Sequence, residues 1–180
     1  MYISSKQIRG TAVYSHDGRL LDYLEKIWIN PDNGHILALQ VKNHRPNLIS
    51  PHDIVDWQIT RLKLGQRFEF HPPEDLVRLA QLLQSKHPSL IGKKVRTENL
   101  TKLGQVIDFS INTKTLLLAS LTAQTKLWFR KNPVHLVHYS QIVEITPTEV
   151  IVKDCLIKIP VNQSSPDKFS LQNSPTFDQA

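Results

Sequence analysis

The sequence predicts a mainly β protein: two small barrels, one short helix joining them, and a disordered C-terminal tail. Three observations lead there. The chain repeats itself at a spacing of 82 residues. Within each copy, apolar and polar residues alternate in short runs broken by turn signals. Between the copies stands one segment with helical spacing.

The repeat comes first. Ile8–Leu39, "IRGTAVYSHDGRLLDYLEKIWINPDNGHILAL", aligns without a gap on Leu90–Leu121, "LIGKKVRTENLTKLGQVIDFSINTKTLLLASL". Six positions are identical: Gly10/Gly92, Val13/Val95, Leu21/Leu103, Ile29/Ile111, Asn30/Asn112 and Leu39/Leu121. Apolar residues also coincide at Leu24/Val106, Ile27/Phe109 and Ile36/Leu118. After a connection of different length, Asp53–Trp57 ("DIVDW") matches Gln141–Ile145 ("QIVEI"). An ungapped match of this extent marks a tandem duplication.

Each copy reads as five or six short strands. In the second, Leu103, Gln105, Ile107, Phe109 and Ile111 fall on one face of an alternating strand. In the first, Leu21, Tyr23, Ile27 and Ile29 take that face, with Glu25 as the exception. Asp17-Gly18 suits a tight hairpin with positive φ at both central residues. "NPDNG" (Asn30–Gly34) predicts a longer reversal, with Pro31 fixing its own φ and Gly34 free to turn left-handed.

Between the copies, Pro73 suits a first helical turn, and Glu74 and Asp75 complement the helix dipole. Leu76, Leu79, Ala80 and Leu83 follow at helical spacing, widened by Val77 and Leu82, and Pro88 ends the run. One helix over about Pro73–Ser85 is expected, lying across a barrel mouth or between the barrels. The chain thus divides into a first barrel over 1–70, a helical linker over 71–88, a second barrel over 89–160 and a tail over 161–180. The tail is too polar to order itself, and Phe169 and Phe177 are its candidate docking anchors.

Two barrels of this size are marginal alone and gain by packing together. The single cysteine, Cys155, excludes a disulfide within the chain and sits in an apolar run as a small packing residue. No apolar run approaches a membrane span, and Met1–Gly10 has no signal-peptide core. A soluble, cytoplasmic protein is expected, with any membrane contact peripheral.

The formal net charge is +6. Residues 5–70 carry nine basic and seven acidic side chains, residues 88–160 ten and five, and the remainder three and four. The sums, +2, +5 and −1, place the excess in the second copy. That bias favours an anionic partner: an acidic protein, RNA or a lipid headgroup.

The sharpest local feature is "TKLWFRKNP" (Thr125–Pro133). Lys126, Arg130 and Lys131 surround Trp128 and Phe129, a mixture suited to a protein hot spot, to a membrane interface, to stacking on bases, or to a strand with its aromatics turned inward. These five residues are the candidate partner-binding set. His135 and His138, three apart, would face opposite sides of a strand, and no third metal ligand lies near. His44, Arg45 and His52 crowd the loop before Asp53, whose expected role is bonding local backbone. Trp28 and Trp57 read as packing residues. There is no phosphate-binding loop, no dinucleotide motif and no Cys/His framework. No catalytic, cofactor or metal residue is assigned, and the chain is not expected to be an enzyme.

The first copy's Gly, Val-Tyr strand, Asp-Gly turn, Asn-Pro-x-x-Gly reversal and closing "ISPHDIVDW" resemble a PRC-barrel domain, and "LIGKKVRTENLTKLGQVIDFSINTKT" with "YSQIVEI" resembles another. The resemblance covers about Ser5–Leu64 and Ser89–Ile159, and two-barrel chains of this length resemble those of cyanobacteria. It implies small all-β interaction modules without catalytic residues. Relatives of that kind include the cytoplasmic part of the photosynthetic reaction-centre H subunit and the C-terminal barrel of the ribosome maturation factor RimM. It implies an adaptor or scaffold for a protein partner, in a photosynthetic or other membrane-associated complex; the alternative is an RNA-associated factor of ribosome maturation. The copies depart from the pattern separately: the first has Asp22 where Gly is usual, and the second has Asn99-Leu100 for the tight turn and no Gly in the later reversal. These losses imply relaxed local geometry in each barrel.

Overall fold

The computed structural model describes residues 1–84, 89–125 and 133–154. It opens with β1 (Tyr2–Ser4) and a single helical turn, α1 (Ser5–Ile8), capped by the Ser4 hydroxyl. The first repeat then holds six strands: β2 (Ala12–Tyr14), β3 (Leu20–Ile29), β4 (Ile36–Val41), β5 (Leu48–Ile49), β6 (Ile54–Trp57) and β7 (Arg61–Leu64). After α2 (Val77–Leu83), the second repeats the set: β8 (Lys94–Thr97), β9 (Lys102–Asn112), β10 (Leu117–Gln124), β11 (Val134–His138), β12 (Ile142–Ile145) and β13 (Glu149–Val152).

The strand paths are the same. The first sheet runs β5-β4-β3-β2-β7-β6, and the second β11-β10-β9-β8-β13-β12. In each, the first and last strands of the repeat pair in parallel, Val13 opposite Leu62 and Val95 opposite Val150. The two ends of each path are joined by a few residues only. A 3-10 turn at Pro51–Asp53 links β5 to β6, and one at Tyr139–Gln141 links β11 to β12. So short a link spans at most about 14 Å. Each sheet must therefore curl until its ends meet, which makes it a barrel.

Strict alternation does not survive along the long strands. In β3, Asp22 and Leu24 are buried while Tyr23 and Glu25 face out, and then Ile27 and Ile29 are buried. The pairing with β4 skips Glu25, and the pairing of β9 with β10 skips Ile107, its repeat counterpart. This bulge moves the side chains to the other face, so Gln105 and Ile107 are exposed and Val106 is buried. The inward set is thus Leu24, Ile27 and Ile29 in one copy and Val106, Phe109 and Ile111 in the other.

Turn geometry is retained where the sequence suggests its loss. At the first turn only Gly18 is left-handed, at φ 85°; Asp17 is not, and its carboxylate takes the Ser15 hydroxyl instead. Its counterpart Leu100 has φ 64°, with Leu100 N donating to Thr97 O at 3.0 Å as Gly18 N does to Ser15 O at 3.1 Å. At the later reversal Gly34 has φ 70° and Leu116 φ 54°. Both left-handed non-glycine residues among the described residues therefore sit at the repeat positions of glycines, and the backbone is conserved between copies rather than relaxed. The identical asparagines explain how: Asn30 Oδ1 accepts from Asp32 N, and Asn112 Oδ1 from Lys114 N, both at 3.0 Å.

The expected single helix is two pieces. Pro73–Asp75 is a 3-10 turn, and α2 begins only at Val77. Leu79 is fully buried against Trp28, Ala38 and Leu48, with Leu76, Leu82 and Leu83 beside it; Val77 points to solvent. The helix therefore lies on the outer face of the first barrel. Ser85 lies outside the described residues, as do Cys155 and the tail with Phe169 and Phe177.

One core runs through both repeats. Ile3, Ile8, Val13, Leu39 and Leu62 belong to the same buried cluster as Leu90, Val95, Ile111, Leu121 and Val150. Two reciprocal bonds join the reversals: Ile36 N to Leu116 O at 3.0 Å and Leu118 N to Gly34 O at 2.9 Å. Each is the other shifted by one repeat, so an approximate two-fold axis passes between His35 and Leu117, which face each other across a bridge. β1 crosses over as well, pairing with β9 so that Ile3 lies opposite Ile111. Asp108 holds it there by accepting from Ser5 N at 3.1 Å and from the Ser5 hydroxyl.

Gly34 carries a second constraint. A Cβ there would lie 2.6 Å from the Tyr139 ring of the other repeat. Gly34→Ala is expected to lower stability by about 1–3 kcal/mol in urea unfolding, and Gly34→Ala with Tyr139→Ala to lose less than the sum of the two single changes. Leu100→Gly is expected to raise stability by about 0.5–1 kcal/mol, because relief of a left-handed leucine (roughly 1–2 kcal/mol) outweighs the added freedom of the unfolded chain. The same unfolding curves test it.

Candidate interaction surface

The five residues singled out by the sequence, Lys126, Trp128, Phe129, Arg130 and Lys131, lie outside the described residues. Their flanks are described. β10 and β11 pair from Ser120/His138 to Gln124/Val134, and Thr125 N donates to Pro133 O at 3.3 Å. The connection therefore leaves and re-enters at one hydrogen-bonded end of the second sheet.

Two surfaces adjoin that sheet. The first is its outer face. Trp28, Ala38 and Leu48 of the first barrel, which α2 covers, correspond to Ser110, Ser120 and Leu136 in the second. There the Ser110 and Ser120 hydroxyls bond each other at 2.7 Å, and Leu136 stays exposed. Tyr2, Ser110, Asn112, Ser120 and His138 line a shallow concavity of about 440 Å³. Tyr2, on β1, is 66% exposed. Among the described residues no helix covers this face.

The second surface is a basic shelf. Lys94, Arg96 and Lys102 surround Leu100, itself 68% exposed, over a concavity of about 680 Å³ that also reaches Gln124 and Thr125. Arg96 Nε donates to Glu149 Oε2 at 2.8 Å, and this bond holds the Glu149 carboxyl below its usual range. Lys94 and Lys102 remain exposed, so the shelf carries a net positive charge. The left-handed turn at Leu100 is what lifts that apolar side chain out among the cations.

The other sequence candidates are structural. Trp28 and Trp57 are buried, at 8% and 4% exposure, and Lys26 Nζ lies 3.6 Å over the Trp28 ring. His135 and His138 stand in β11 on opposite faces. Among the described residues, no three His, Cys, Asp or Glu side chains gather to hold a metal ion. Asp53 does not bond local backbone through its side chain: its carboxylate faces His71 Nε2 across 3.8 Å, while Asp53 N reaches Ser50 O. The 3-10 turn turns this side chain away from its own loop and toward the strand-like segment before α2.

The His44 loop has a different centre, which the sequence reading treats only as a departure from pattern. Asp22, with no exposed side-chain surface, accepts from Asn43 N at 2.8 Å, Asn43 Nδ2 at 2.8 Å and His44 N at 3.0 Å, and its Oδ2 lies 3.0 Å from His44 Nδ1. Burial pushes this carboxyl up, but bonds from the His44 ring and from Asn43, Tyr23 and His44 backbone outweigh it and hold it down at about 2. Asp22 thus ties the β4–β5 loop to β3, a substitute for the pattern's glycine.

The sequence profile of the PRC-barrel domain matches the chain twice, over residues 1–68 and 84–154. The chain belongs to the PRC-barrel family. It matches no curated protein. Its tandem PRC barrels share one register, one turn geometry and one core, and differ mainly in what their outer faces carry. No helix among the described residues of this tandem PRC-barrel protein is long and apolar enough to cross a membrane.

Asp22 gives the first barrel an acid dependence with a definite sign. Its folded pKa lies below its unfolded value, so its stabilisation is complete above about pH 4 and is lost as pH falls toward 2. The contribution at neutral pH is about 2 kcal/mol. Asp22→Asn is expected to lose stability at pH 7 on that order and to show a flatter decline between about pH 4 and 2 in urea titrations at stepped pH.

Proposed function

We propose that this tandem PRC-barrel chain is a non-enzymatic adaptor that binds another protein through its second barrel. The observation that supports this reading is the asymmetry between the copies. The outer face that α2 covers on the first barrel has an open counterpart on the second, with Tyr2 and Leu136 exposed. A partner element lying there would complete the same layer. The sequence between Thr125 and Pro133, two residues bonded at that sheet's end, carries Lys126, Trp128, Phe129, Arg130 and Lys131, which would supply aromatic and cationic anchors. The basic shelf would steer an acidic partner during encounter. The joint core makes the two barrels one rigid presenting body. A membrane-associated complex, photosynthetic or other, is the partner class that the family resemblance favours, and a cytoplasmic location beside a membrane suits it.

Affinity purification with the full chain tests this. Wild type is expected to retain a specific protein that Leu136→Asp and Trp128→Ala each weaken by roughly tenfold or more. Equal recovery by all three proteins would sink the reading. Retention of nuclease-sensitive material, falling steeply with salt and on Lys94→Glu or Lys102→Glu, would favour the ribosome-maturation alternative, which the basic shelf supports.

A further inference from the structure

The second sheet ends on one side at β11, which among the described residues pairs with β10 alone. That pairing runs from Ser120/His138 to Gln124/Val134 without a register shift, and beyond it Thr125 N donates to Pro133 O. Bonded and non-bonded pairs alternate along an antiparallel ladder. Val134 and Leu136 therefore stand in non-bonded pairs with Gln124 and Thr122, and their N–H and C=O groups point away from β10. Among the described residues no backbone group pairs with Leu136 on that side. Sheet edges are usually blunted by charge, proline, a bulge or a very short strand. β11, "VHLVH", has no Lys, Asp, Glu or Pro and no bulge against β10.

The first copy shows what this edge takes. The repeat counterpart of Leu136 is Leu48, in a strand of only two residues. Leu48 N donates to His71 O at 3.2 Å and His71 N to Leu48 O at 2.8 Å, an antiparallel bridge. The segment that makes it alternates: Phe68 and Phe70 pack on the core, while Arg67 and Glu69 are exposed. Pro72 follows, then Glu74 and Asp75, both exposed. Set along β11 in the same direction, such a segment would carry its acidic end past Val134. The basic shelf reaches that end, since Gln124 and Thr125 line it together with Lys94 and Lys102. Main-chain groups and charge thus complement one kind of segment.

We propose that β11 is a strand-addition site for a protein partner. The partner supplies a segment with apolar residues at alternate positions, then proline and acidic residues, and bonds Leu136 as His71 bonds Leu48. This rests on the adaptor reading and names how the partner docks.

The test titrates a synthetic peptide of the chain's own Arg67–Asp75 sequence into the full chain, followed by amide NMR. Saturable shifts are expected at the Val134 and Leu136 amides. The same peptide N-methylated at its His71 position lacks the donor for Leu136 O and is expected to bind roughly tenfold more weakly or worse. Leu136→Pro removes an outward N–H and spares the ladder to β10, and is expected to cost about as much. Glu74→Gln with Asp75→Asn in the peptide, or Lys94→Glu with Lys102→Glu in the chain, is expected to weaken binding several-fold. Equal binding of plain and methylated peptides, shifts centred elsewhere, or no shifts would each overturn the proposal. Leu136 shifts that grow with protein concentration in the absence of peptide would give the edge to a second copy and overturn it. Binding that appears only after Ile159→Pro, at the sequence counterpart of His71, would give the edge to the chain's own C-terminal segment and overturn it too. Should Leu136→Pro fail to fold, the methylated peptide decides on the unaltered chain. The adaptor reading is judged separately, by affinity purification.

Discussion

Two backbone hydrogen bonds, Ile36 N to Leu116 O and its mirror Leu118 N to Gly34 O, set the relation between the barrels. They require both reversals to present the same edge at the same distance. That requirement explains why Leu116 holds a left-handed conformation that its side chain disfavours. It also explains why Gly34 lacks a side chain, since Tyr139 of the other repeat stands where one would be. Around this contact the interior has no boundary between repeats, and Ile29 and Leu90 are buried in one cluster. Burying a leucine or isoleucine is worth roughly 1.5–3 kcal/mol, so this common interior is what lets two marginal barrels hold.

Because the copies share a backbone, each reports which side chains the other needs. Position pairs that agree, such as Leu39/Leu121 and Asn30/Asn112, are occupied for folding. Pairs that differ mark divergent use. Trp28 against Ser110 marks a covered face against an open one, and Thr11 against Lys93 marks a neutral position against a charged one. Asp22 against Gly104 marks a carboxylate that ties β3 to the β4–β5 loop against a glycine that lets the Gln124 backbone approach β9 closely.

The repeat, the strand number and the turn positions were legible because they rest on composition and spacing, which are local. The inward face of β3 was legible only past Glu25, where Ile27 and Ile29 are buried as expected, whereas Tyr23 before it is exposed. A single bulge at Glu25 reverses every side chain after it, and nothing in the residue type announces it. The left-handed Leu116 was hidden for the opposite reason, since its conformation is set by its bond to the neighbouring repeat. Trp28 and Trp57 were legible as packing residues because large apolar rings have few other stable places. The open face was not legible, since it is defined by what α2 does on the other barrel. The 126–131 cluster was legible as an aromatic-cationic motif, and it falls outside the described residues.

The crossing of β1 onto β9 has its own consequence. The segment that precedes the first barrel completes the sheet of the second, with Ser5 fixed to Asp108. A cut through the 71–88 linker would therefore not yield two finished modules, for the second would lack a strand and the first would carry a stray one. During synthesis, Tyr2–Ser4 has no mate until the chain has grown past Asn112. The protein is a duplication by descent whose earliest strand waits for the second repeat before it finds its mate.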